Sequence, residues 1–400
     1  MQRILILILL IVPKLVWAEF VPETATVETL PDHKGQGWFW AAGWRMPNET
    51  DGRAFLFDAK GETLGQLSTG LWFNSMVPAN KRGEIITVET YFDRGTRGNR
   101  EDLVVTYDAQ TLSPVSEVSI PTKRMHAVRS SGLATLTEDE KFLLVVNYTP
   151  AQSISVVDLD KQEFVAEIDT SGCSVIYTAG NRDFYSICGN GGFLHIRLDD
   201  TGNVSLLERT PPIFDPVDDF LTISASRIGD TWFFVSRENN VYAINMQPDS
   251  ISLQAKWPLA NTDEQEDGWM ISGFHHTAAH QSSERLFVLM HQGEHHTFEE
   301  PGTHVWVYDT KSGTKVSEIE LEDLAFSISV NQDGPARLYS LAVHIPMPFV
   351  VTILMVVLEG VEGIGALVKQ VANIYDADSG EHLVKTGFLP EGLTIDIQAW

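Results

Sequence analysis

Residues 305–319 read VWVYDTKSGTKVSEI, and this stretch decides the fold. Apolar side chains alternate with polar ones before and after the central turn residues, as they do in two β-strands that present one face to a core. An aspartate carboxylate accepts hydrogen bonds from backbone N–H groups two or three residues further on, and glycine tolerates the positive φ of a tight turn. The stretch therefore predicts a strand, a turn beginning at Asp309, and a second strand.

The same hairpin pattern occurs seven times along the chain. Its turns begin at Asp58, Asp108, Asp158, Asp199, Asn245, Asp309 and Asp376, so the successive spacings are 50, 50, 41, 46, 64 and 67 residues. Four-stranded blades repeat about every 40–50 residues in β-propellers. The spacing predicts an all-β fold, a seven-bladed β-propeller of four-stranded antiparallel blades. The alternative is an all-β protein whose Asp-Gly hairpins are unrelated to one another.

Composition and charge exclude some classes of partner. The formal net charge is −26, which disfavours binding to nucleic acid or to anionic membranes. Hydrophobic residues make up 43% of the chain and aromatic residues 10%, enough for a large core. The ten tryptophans suit packing between neighbouring blades.

The first 18 residues have the features of a secretory signal peptide. Arg3 is followed by an apolar run from Ile4 to Val12, and Val16-Trp17-Ala18 precedes Glu19 as a cleavage site. Nine apolar residues are too few to span a bilayer, which needs about 20, so no stable membrane span is expected. We expect an exported protein.

The two cysteines, Cys173 and Cys188, are the only ones in the chain. Export places them in an oxidising compartment, and they close a short loop, so we expect a disulfide between them. The alternative is a pair of free buried thiols.

Composition also divides the chain into a leader, a propeller and an atypical insertion. Residues 19–37 are predicted to be an irregular N-terminal leader, and residues 38–400 the propeller. Residues 342–372 do not fit the blade pattern, because about thirty residues with an apolar run replace a short turn. An extra hairpin, a partner-binding flap and an aggregation-prone insertion are all compatible with this segment.

One loop is basic in an otherwise acidic protein. Arg94, Arg97 and Arg100 lie within seven residues that also contain two glycines. Such a loop could dock a carboxylate or the acidic face of a partner, or it could be a solvated turn with internal charge pairs.

Seven of the twelve histidines crowd one region: His275, His276, His280, His291, His295, His296 and His304. Imidazoles at this density could bind zinc or copper, but their spacing matches no metal motif, and histidines with polar partners in loops are the favoured interpretation. The chain has no nucleophile elbow, no phosphate-binding glycine loop and no cysteine metal motif. We therefore predict no catalytic, cofactor-binding or metal-binding residue in this chain, as in a platform for another subunit.

Several ordered segments resemble the heavy subunit of methylamine and aromatic amine dehydrogenases, the tryptophan tryptophylquinone (TTQ) enzymes. They are Thr96-Arg97-Gly98-Asn99-Arg100-Glu101-Asp102, Tyr148-Thr149-Pro150-Ala151-Gln152-Ser153, the Gly172-Cys173 and Cys188-Gly189 pair, Phe214-Asp215-Pro216, Asp267-Gly268-Trp269, Val288-Leu289-Met290-His291-Gln292-Gly293, and Pro301-Gly302-Thr303-His304-Val305-Trp306. The resemblance covers about residues 25–341 and 373–400.

The resemblance implies a periplasmic seven-bladed propeller in an α2β2 heterotetramer. In that family the light (beta) subunit carries TTQ and the catalytic base. Primary amines are oxidised to aldehyde and ammonia, and electrons pass to a blue-copper protein of the amicyanin or azurin type. The heavy subunit braces the light subunit and helps to shape the substrate channel. This chain itself would hold no cofactor.

The resemblance also nominates residues that face the light subunit or the channel: Asn48, Arg94, Arg97, Arg100, Trp269 and His291. Methylamine dehydrogenases place an aromatic residue in the first-blade loop, where this sequence has Asn48, so substrate preference is open. The family's Arg-Pro-Gly-Gly-Trp is replaced here by residues 270–274. Two rival hypotheses are a periplasmic propeller scaffold without an amine dehydrogenase partner and a metal-dependent propeller enzyme using the histidine cluster.

Overall fold

Antiparallel β-sheets surround a central channel in the computed structural model of the chain. The structure describes residues 28–44, 51–71, 75–127, 130–294, 297–344, 369–387, 389 and 393–400. Helix in these ranges is limited to one 3-10 turn at Ser131–Leu133 and to α1 (Thr262–Glu266), whose Asn261 and Glu264 form a reciprocal capping box. Neither is long and apolar enough to cross a membrane. The predicted signal peptide, residues 1–18, lies outside the described residues.

The first sheet joins strands from opposite ends of the sequence. Its order is β28-β1-β2-β3, with β1 at Phe39–Trp44, β2 at Gly52–Phe57, β3 at Thr63–Gly70 and β28 at Leu393–Ala399. Phe39 pairs with Ala399 and Ala41 with Ile397. This pairing closes the ring of sheets.

Four more sheets each contain four consecutive antiparallel strands. They are β4 (Ser75–Ala79), β5 (Glu84–Phe92), β6 (Arg100–Asp108) and β7 (Pro114–Ile120); β8 (Ala134–Leu136), β9 (Phe142–Asn147), β10 (Ser153–Asp158) and β11 (Glu163–Asp169); β12 (Cys173–Thr178), β13 (Asp183–Cys188), β14 (Phe193–Leu198) and β15 (Val204–Arg209); and β16 (Leu221–Ile228), β17 (Thr231–Ser236), β18 (Asn240–Gln247) and β19 (Ser250–Pro258).

The last eight described strands before β28 form one eight-stranded sheet rather than two blades. They are β20 (Trp269–Ile271), β21 (Thr277–His280), β22 (Arg285–Gln292), β23 (Gly302–Asp309), β24 (Thr314–Val330), β25 (Arg337–His344), β26 (Lys369–Asp376) and β27 (His382–Lys385). The prediction of an all-β propeller with four-stranded antiparallel blades is confirmed. The predicted number is wrong, because the described part of the chain forms five separate four-stranded blades beside the eight-stranded sheet, and not seven blades.

The number of separate blades differs from the prediction because of strand β24. This strand is 17 residues long and pairs with β23 through its first half and with β25 through its second half. Residues 314–330 contain no glycine, proline or asparagine, so nothing in that stretch ends the strand. At other junctions Gly70, Pro121, Gly172 and Pro211 interrupt the chain. Hairpin counting could not detect this continuity, since it examines turns and not the connections between sheets.

The predicted aspartate turns are present at Asp58, Asp108, Asp158, Asp199, Asp309 and Asp376. In each, the carboxylate accepts a hydrogen bond from a backbone N–H two to four residues later. The turn predicted at Asn245 is displaced, because Asn245 lies inside β18 and pairs with Ser252. The hairpin there closes between Gln247 and Ser250.

The core lies between neighbouring sheets. Trp40 of the first sheet is fully buried and belongs to one apolar cluster with Ile85 of the next sheet. Trp306 is equally buried and clusters with Phe233 of the β16–β19 sheet. An aromatic side chain buries about 150–250 Å², so each such ring contributes roughly 4–6 kcal/mol of transfer free energy. The expectation that tryptophans pack blade against blade is met at these positions.

The predicted insertion is shorter than the sequence suggested. His344 pairs with Lys369, so residues 342–344 and 369–372 belong to β25 and β26. Residues 345–368 lie outside the described residues. Of the predicted leader, residues 28–37 are described and contain neither strand nor helix.

Candidate functional site

Strand topology assigns every connection to one of the two faces of the ring. Consecutive strands within a sheet are antiparallel, so connections alternate between the faces; the exception is β20 and β21, which both pair antiparallel with β22 and so run in the same direction. We call the face with the aspartate turns the lower face. The opposite, upper face holds the β5–β6, β7–β8, β15–β16 and β22–β23 connections. Arg94, Arg97, Arg100, Trp269 and His291 all lie at the upper face, although the sequence separates them by almost 200 residues.

An apolar pocket of about 530 Å³ opens among the loops of the upper face. Three phenylalanines, one from each of three segments, form its aromatic walls: Phe220, Phe274 and Phe298. Leu221 and Ile223, at the start of β16, add aliphatic surface. The remaining lining residues are Ala127, Thr222, Ser224, Gly273, His276 and Glu299. The volume falls within the roughly 300–1,000 Å³ of small-molecule pockets.

The polar groups of the apolar pocket are few. His276 is buried, and its Nε2 lies 2.8 Å from the Thr222 hydroxyl oxygen. Thr222 in turn donates to the carbonyl of Val235 at 2.8 Å. Burial lowers the pKa of His276 to about 4, so the imidazole is neutral near pH 7. Glu299 is exposed at the rim and is the only carboxylate among the lining residues.

A second cavity, of about 400 Å³, is the central channel. Its walls come from the inner strands and carry many hydroxyl groups, including Ser75, Ser226, Thr277 and Ser329. His275 Nδ1 lies 2.6 Å from an Asp396 carboxylate oxygen, which links the histidine-rich segment to β28. The channel wall is rich in hydroxyl groups, whereas the wall of the apolar pocket is mainly aromatic and aliphatic.

The arginine loop divides into two parts with different surroundings. Arg94 is 73% exposed and lies 3.6 Å from Asp93, and Arg97 is exposed as well. Arg100 instead makes two hydrogen bonds of 2.8 Å to Asp102 and one of 2.9 Å to the Arg124 carbonyl. The interpretation as a turn with internal charge pairs holds at Arg100, whereas docking of a carboxylate or of a partner's acidic face at the exposed Arg94 and Arg97 stays a prediction.

A buried charge network supports this loop from below. Asp102 is fully buried and also accepts hydrogen bonds from the Arg124 backbone N–H and the Thr90 hydroxyl. Arg124 is 2% exposed, and burial lowers its pKa to about 10, which leaves the guanidinium charged at neutral pH. Its Nε donates to Thr90 at 2.6 Å. The network fixes the start of β6 against the β7–β8 connection.

Glu89 is a fully buried carboxyl group beside this network. The hydroxyl groups of Thr87, Tyr91 and Tyr107 contact its oxygens. Burial raises the pKa of Glu89, since a charged carboxylate is costly in a poorly solvated site.

The other predicted contact residues are partly or wholly inside the protein. Trp269 packs edge-on against His304, with ring centroids 4.9 Å apart, and against Trp306 at 5.1 Å. His291 is buried, and its Nε2 lies 3.2 Å from the Thr297 hydroxyl oxygen. Burial lowers the pKa of His291. Asn48 lies outside the described residues. Contact of all these residues with a light subunit stays a prediction.

The histidine cluster disperses in three dimensions. His280 Nδ1 lies 2.7 Å from the Ser283 hydroxyl, and His304 Nδ1 lies 3.0 Å from the Thr303 hydroxyl. Over the described ranges, no three His, Cys, Asp or Glu side chains are arranged to hold a metal ion. His295 and His296 lie outside those ranges.

The predicted disulfide between Cys173 and Cys188 is confirmed. The two residues face each other across the β12–β13 pair, so the link staples the upper end of this hairpin. Arg209 donates from Nη1 to the Cys173 sulfur at 2.9 Å and from Nη2 to the Ser171 carbonyl at 2.6 Å.

Sequence reasoning missed the apolar pocket and the buried network. The pocket draws on segments near residues 127, 220, 274 and 298, which no single motif connects. The network left one weak signal, because Glu89 interrupts the largely apolar sequence of β5, whereas Asp102 follows Arg100 and Glu101 at the charged start of β6.

Curated relatives share one description. A chain from Methylobacillus flagellatus, described as methylamine dehydrogenase heavy chain, is 26% identical over 285 residues, covering 71% of this chain and 71% of the relative. A heavy chain of the same description from Paracoccus versutus is 25% identical over 346 residues, covering 84% of this chain and 74% of the relative.

Solved structures support the fold alone. Dihydro-heme d1 dehydrogenase NirN matches with a TM-score of 0.53 and 13% identity, covering 92% of this chain and 76% of that chain. The β-propeller domain of Cps50 (Swd1) from Myceliophteria thermophila matches with a TM-score of 0.51 and 10% identity, covering 80% of this chain and 96% of that chain. A family model described as methylamine dehydrogenase heavy chain (MADH) matches residues 50–353. The chain belongs to the methylamine dehydrogenase heavy chain family.

Proposed function

We propose that this chain is the heavy subunit of a periplasmic quinone-dependent amine dehydrogenase. The complex converts a primary amine and water to an aldehyde and ammonia, releasing two electrons and two protons. The electrons pass to a blue-copper protein of the amicyanin or azurin type. The chain acts as scaffold for a light subunit in an α2β2 heterotetramer and supplies part of the channel wall. Family membership is the observation that carries the proposal.

The upper face supports a docking role. It presents exposed guanidinium groups at Arg94 and Arg97 on a chain whose net charge is −26, so an acidic patch on the partner has local counter-charges there. It also carries the apolar pocket, which offers a poorly hydrated wall. Amine oxidation at a quinone benefits from a shaped cavity that excludes water.

TTQ is built from two covalently linked tryptophans, which accept the two electrons of amine oxidation when the group is in place. Trp40 and Trp306 of this chain are fully buried in apolar clusters between sheets, where a substrate amine could not reach them. Their burial supports a structural role for these two tryptophans and a quinone carried by the partner.

Purification of a tagged chain from its native host tests the proposal. We expect a small, disulfide-rich partner that absorbs visible light to co-purify, and the complex to reduce a redox dye only when a primary amine is added. The chain expressed alone is the control and should be colourless and inactive. A colourless lone chain from the native host would contradict the proposal, as would turnover by the isolated chain or stoichiometric copper or zinc in it.

A further inference from the structure

The central channel is a cavity that the proposed function does not use. Hydroxyl groups converge on it from four inner strands: Ser75 of β4, Ser226 of β16, Thr277 of β21 and Ser329 of β24. Gln398 of β28 adds an amide group to the same wall. These strands belong to four different sheets, so the polar wall is assembled only when the ring closes. The volume, about 400 Å³, is that of a small-molecule site.

Several of these polar groups have hydrogen-bonding capacity to spare. In the described part of the chain, the Ser75 hydroxyl and the Gln398 amide have no hydrogen-bond partner, although Ser75 is only 8% exposed. Ser329 Oγ accepts from the Ala399 backbone N–H at 3.0 Å, which leaves the serine hydroxyl hydrogen for donation. Both donors and acceptors therefore face the cavity.

The charged groups that line the channel already have partners. An Asp396 carboxylate oxygen lies 2.6 Å from His275 Nδ1. Arg227 lies 3.6 Å from Glu138 and 3.6 Å from Asp230. Asp396 and Arg227 carry opposite formal charges, and His275 is the only other ionisable residue of the lining. An ion of either sign would lose its hydration in the channel without gaining an unpaired counter-charge.

We propose that the central channel binds a neutral polyol through Ser75, Ser329 and Gln398. Each hydroxyl group of a polyol both donates and accepts hydrogen bonds, and so do serine hydroxyl and glutamine amide groups, so the two sets can satisfy each other. Ile328 and Ile397 also line the cavity and offer apolar surface to the carbon chain of the ligand.

The entrance for such a ligand is at the lower face. A smaller cavity of about 250 Å³ continues the channel, since Val330, Gln332 and Gln398 line both cavities. Gln332 and Asp333 belong to the β24–β25 connection, which lies at the lower face. A light subunit docked on the upper face would leave this entrance open, so polyol binding does not depend on the proposed function.

Calorimetry on the purified chain tests the site with four probes that share a six-carbon chain: sorbitol, the anionic gluconate, the cationic glucamine and 1,6-hexanediol. We expect saturable one-to-one binding of sorbitol and weaker binding of gluconate and glucamine. Hexanediol lacks the inner hydroxyl groups and should not bind. Gln398→Leu and Ser75→Ala each remove one hydrogen-bonding group and should weaken sorbitol binding about two- to tenfold.

Gln66→Leu is the matched control, since Gln66 is exposed on β3 of the same sheet as Gln398 and does not line the channel. It should bind sorbitol as the unmodified chain does. A melting temperature within about 1 °C of that of the unmodified chain shows that a variant keeps its fold.

Absence of saturable sorbitol binding to the unmodified chain would overturn the inference. Equal or tighter binding of gluconate, glucamine or hexanediol, or full affinity for sorbitol in both folded variants, would overturn it as well. The heterotetramer should bind sorbitol as tightly as the isolated chain, and loss of binding on assembly would exclude an entrance at the lower face. The measurements on the isolated chain need no partner, so the polyol site and the proposed function can fail separately.

Discussion

Replacement of Asp102 by Asn tests whether the buried charge network stabilises the fold. The carboxylate accepts four hydrogen bonds, two from Arg100, one from the Arg124 backbone N–H and one from the Thr90 hydroxyl. Asparagine keeps one acceptor oxygen, but its NH₂ group would face N–H donors. Among the charges around Arg124, Asp102 is the one that most favours the charged guanidinium, since it raises the pKa of Arg124 against the effect of burial.

The expected cost follows from the burial of both partners. Removing one member of a buried charge pair costs about 3–5 kcal/mol, since the remaining charge is left without compensation. For a chain of 400 residues the unfolding entropy is about 0.8 kcal/mol/K, so the melting temperature should fall by about 4–6 °C.

Thermal melting followed by circular dichroism measures this shift. Glu101→Gln is the control, because Glu101 is the exposed neighbour on the same strand and accepts only a 3.4 Å hydrogen bond from Ser119. It should change the melting temperature by less than about 1 °C. Equal shifts for the two variants would refute the assignment of stability to the buried network.

Three further predictions address the disulfide, the buried carboxyl group and the upper face. Cys173→Ser combined with Cys188→Ser should lower the free energy of unfolding by about 3 kcal/mol without preventing assembly, and unchanged melting would contradict it. Glu89→Gln cannot ionise. Because the folded-state pKa of Glu89 is raised, the unmodified chain loses stability as pH rises from about 4.3 through that pKa. The melting temperature of Glu89→Gln minus that of the unmodified chain should therefore increase between pH 5 and 8, and a pH-independent difference would count against a raised pKa. Arg94→Glu combined with Arg97→Glu should weaken binding of the light subunit, most strongly at low salt, and leave the melting temperature unchanged. A loss of affinity for the light subunit that is equal at low and high salt would exclude electrostatic docking at these two arginines.

Local chemistry made the hairpins readable from sequence. Asp309 and its counterparts accept hydrogen bonds from residues that follow within the same turn, so no distant segment is needed. The disulfide was predictable for a similar reason, because only Cys173 and Cys188 are available to pair. The number of separate blades was not predictable in this way, since it depends on how β24 pairs on both of its sides.

The candidate site depends on contacts between distant segments. Phe274 and Phe298 are 24 residues apart, and Phe220 is further away, yet the three line one cavity. Arginine content identified the basic loop, but only the structure separates Arg100, paired with Asp102, from the exposed Arg94 and Arg97. Burial decides that division, and burial is a property of the assembled ring.

The unbroken path of β24 limits where this protein can deform. Sheets that meet through loops can rock against each other, whereas the two halves of the eight-stranded sheet share a backbone and must move together. Phe326 belongs to that shared backbone and supports the ring of Phe274. A partner that binds on this side of the ring would therefore contact a rigid surface. Any conformational change needed to accommodate that partner would have to occur in the loops on the opposite side of the ring.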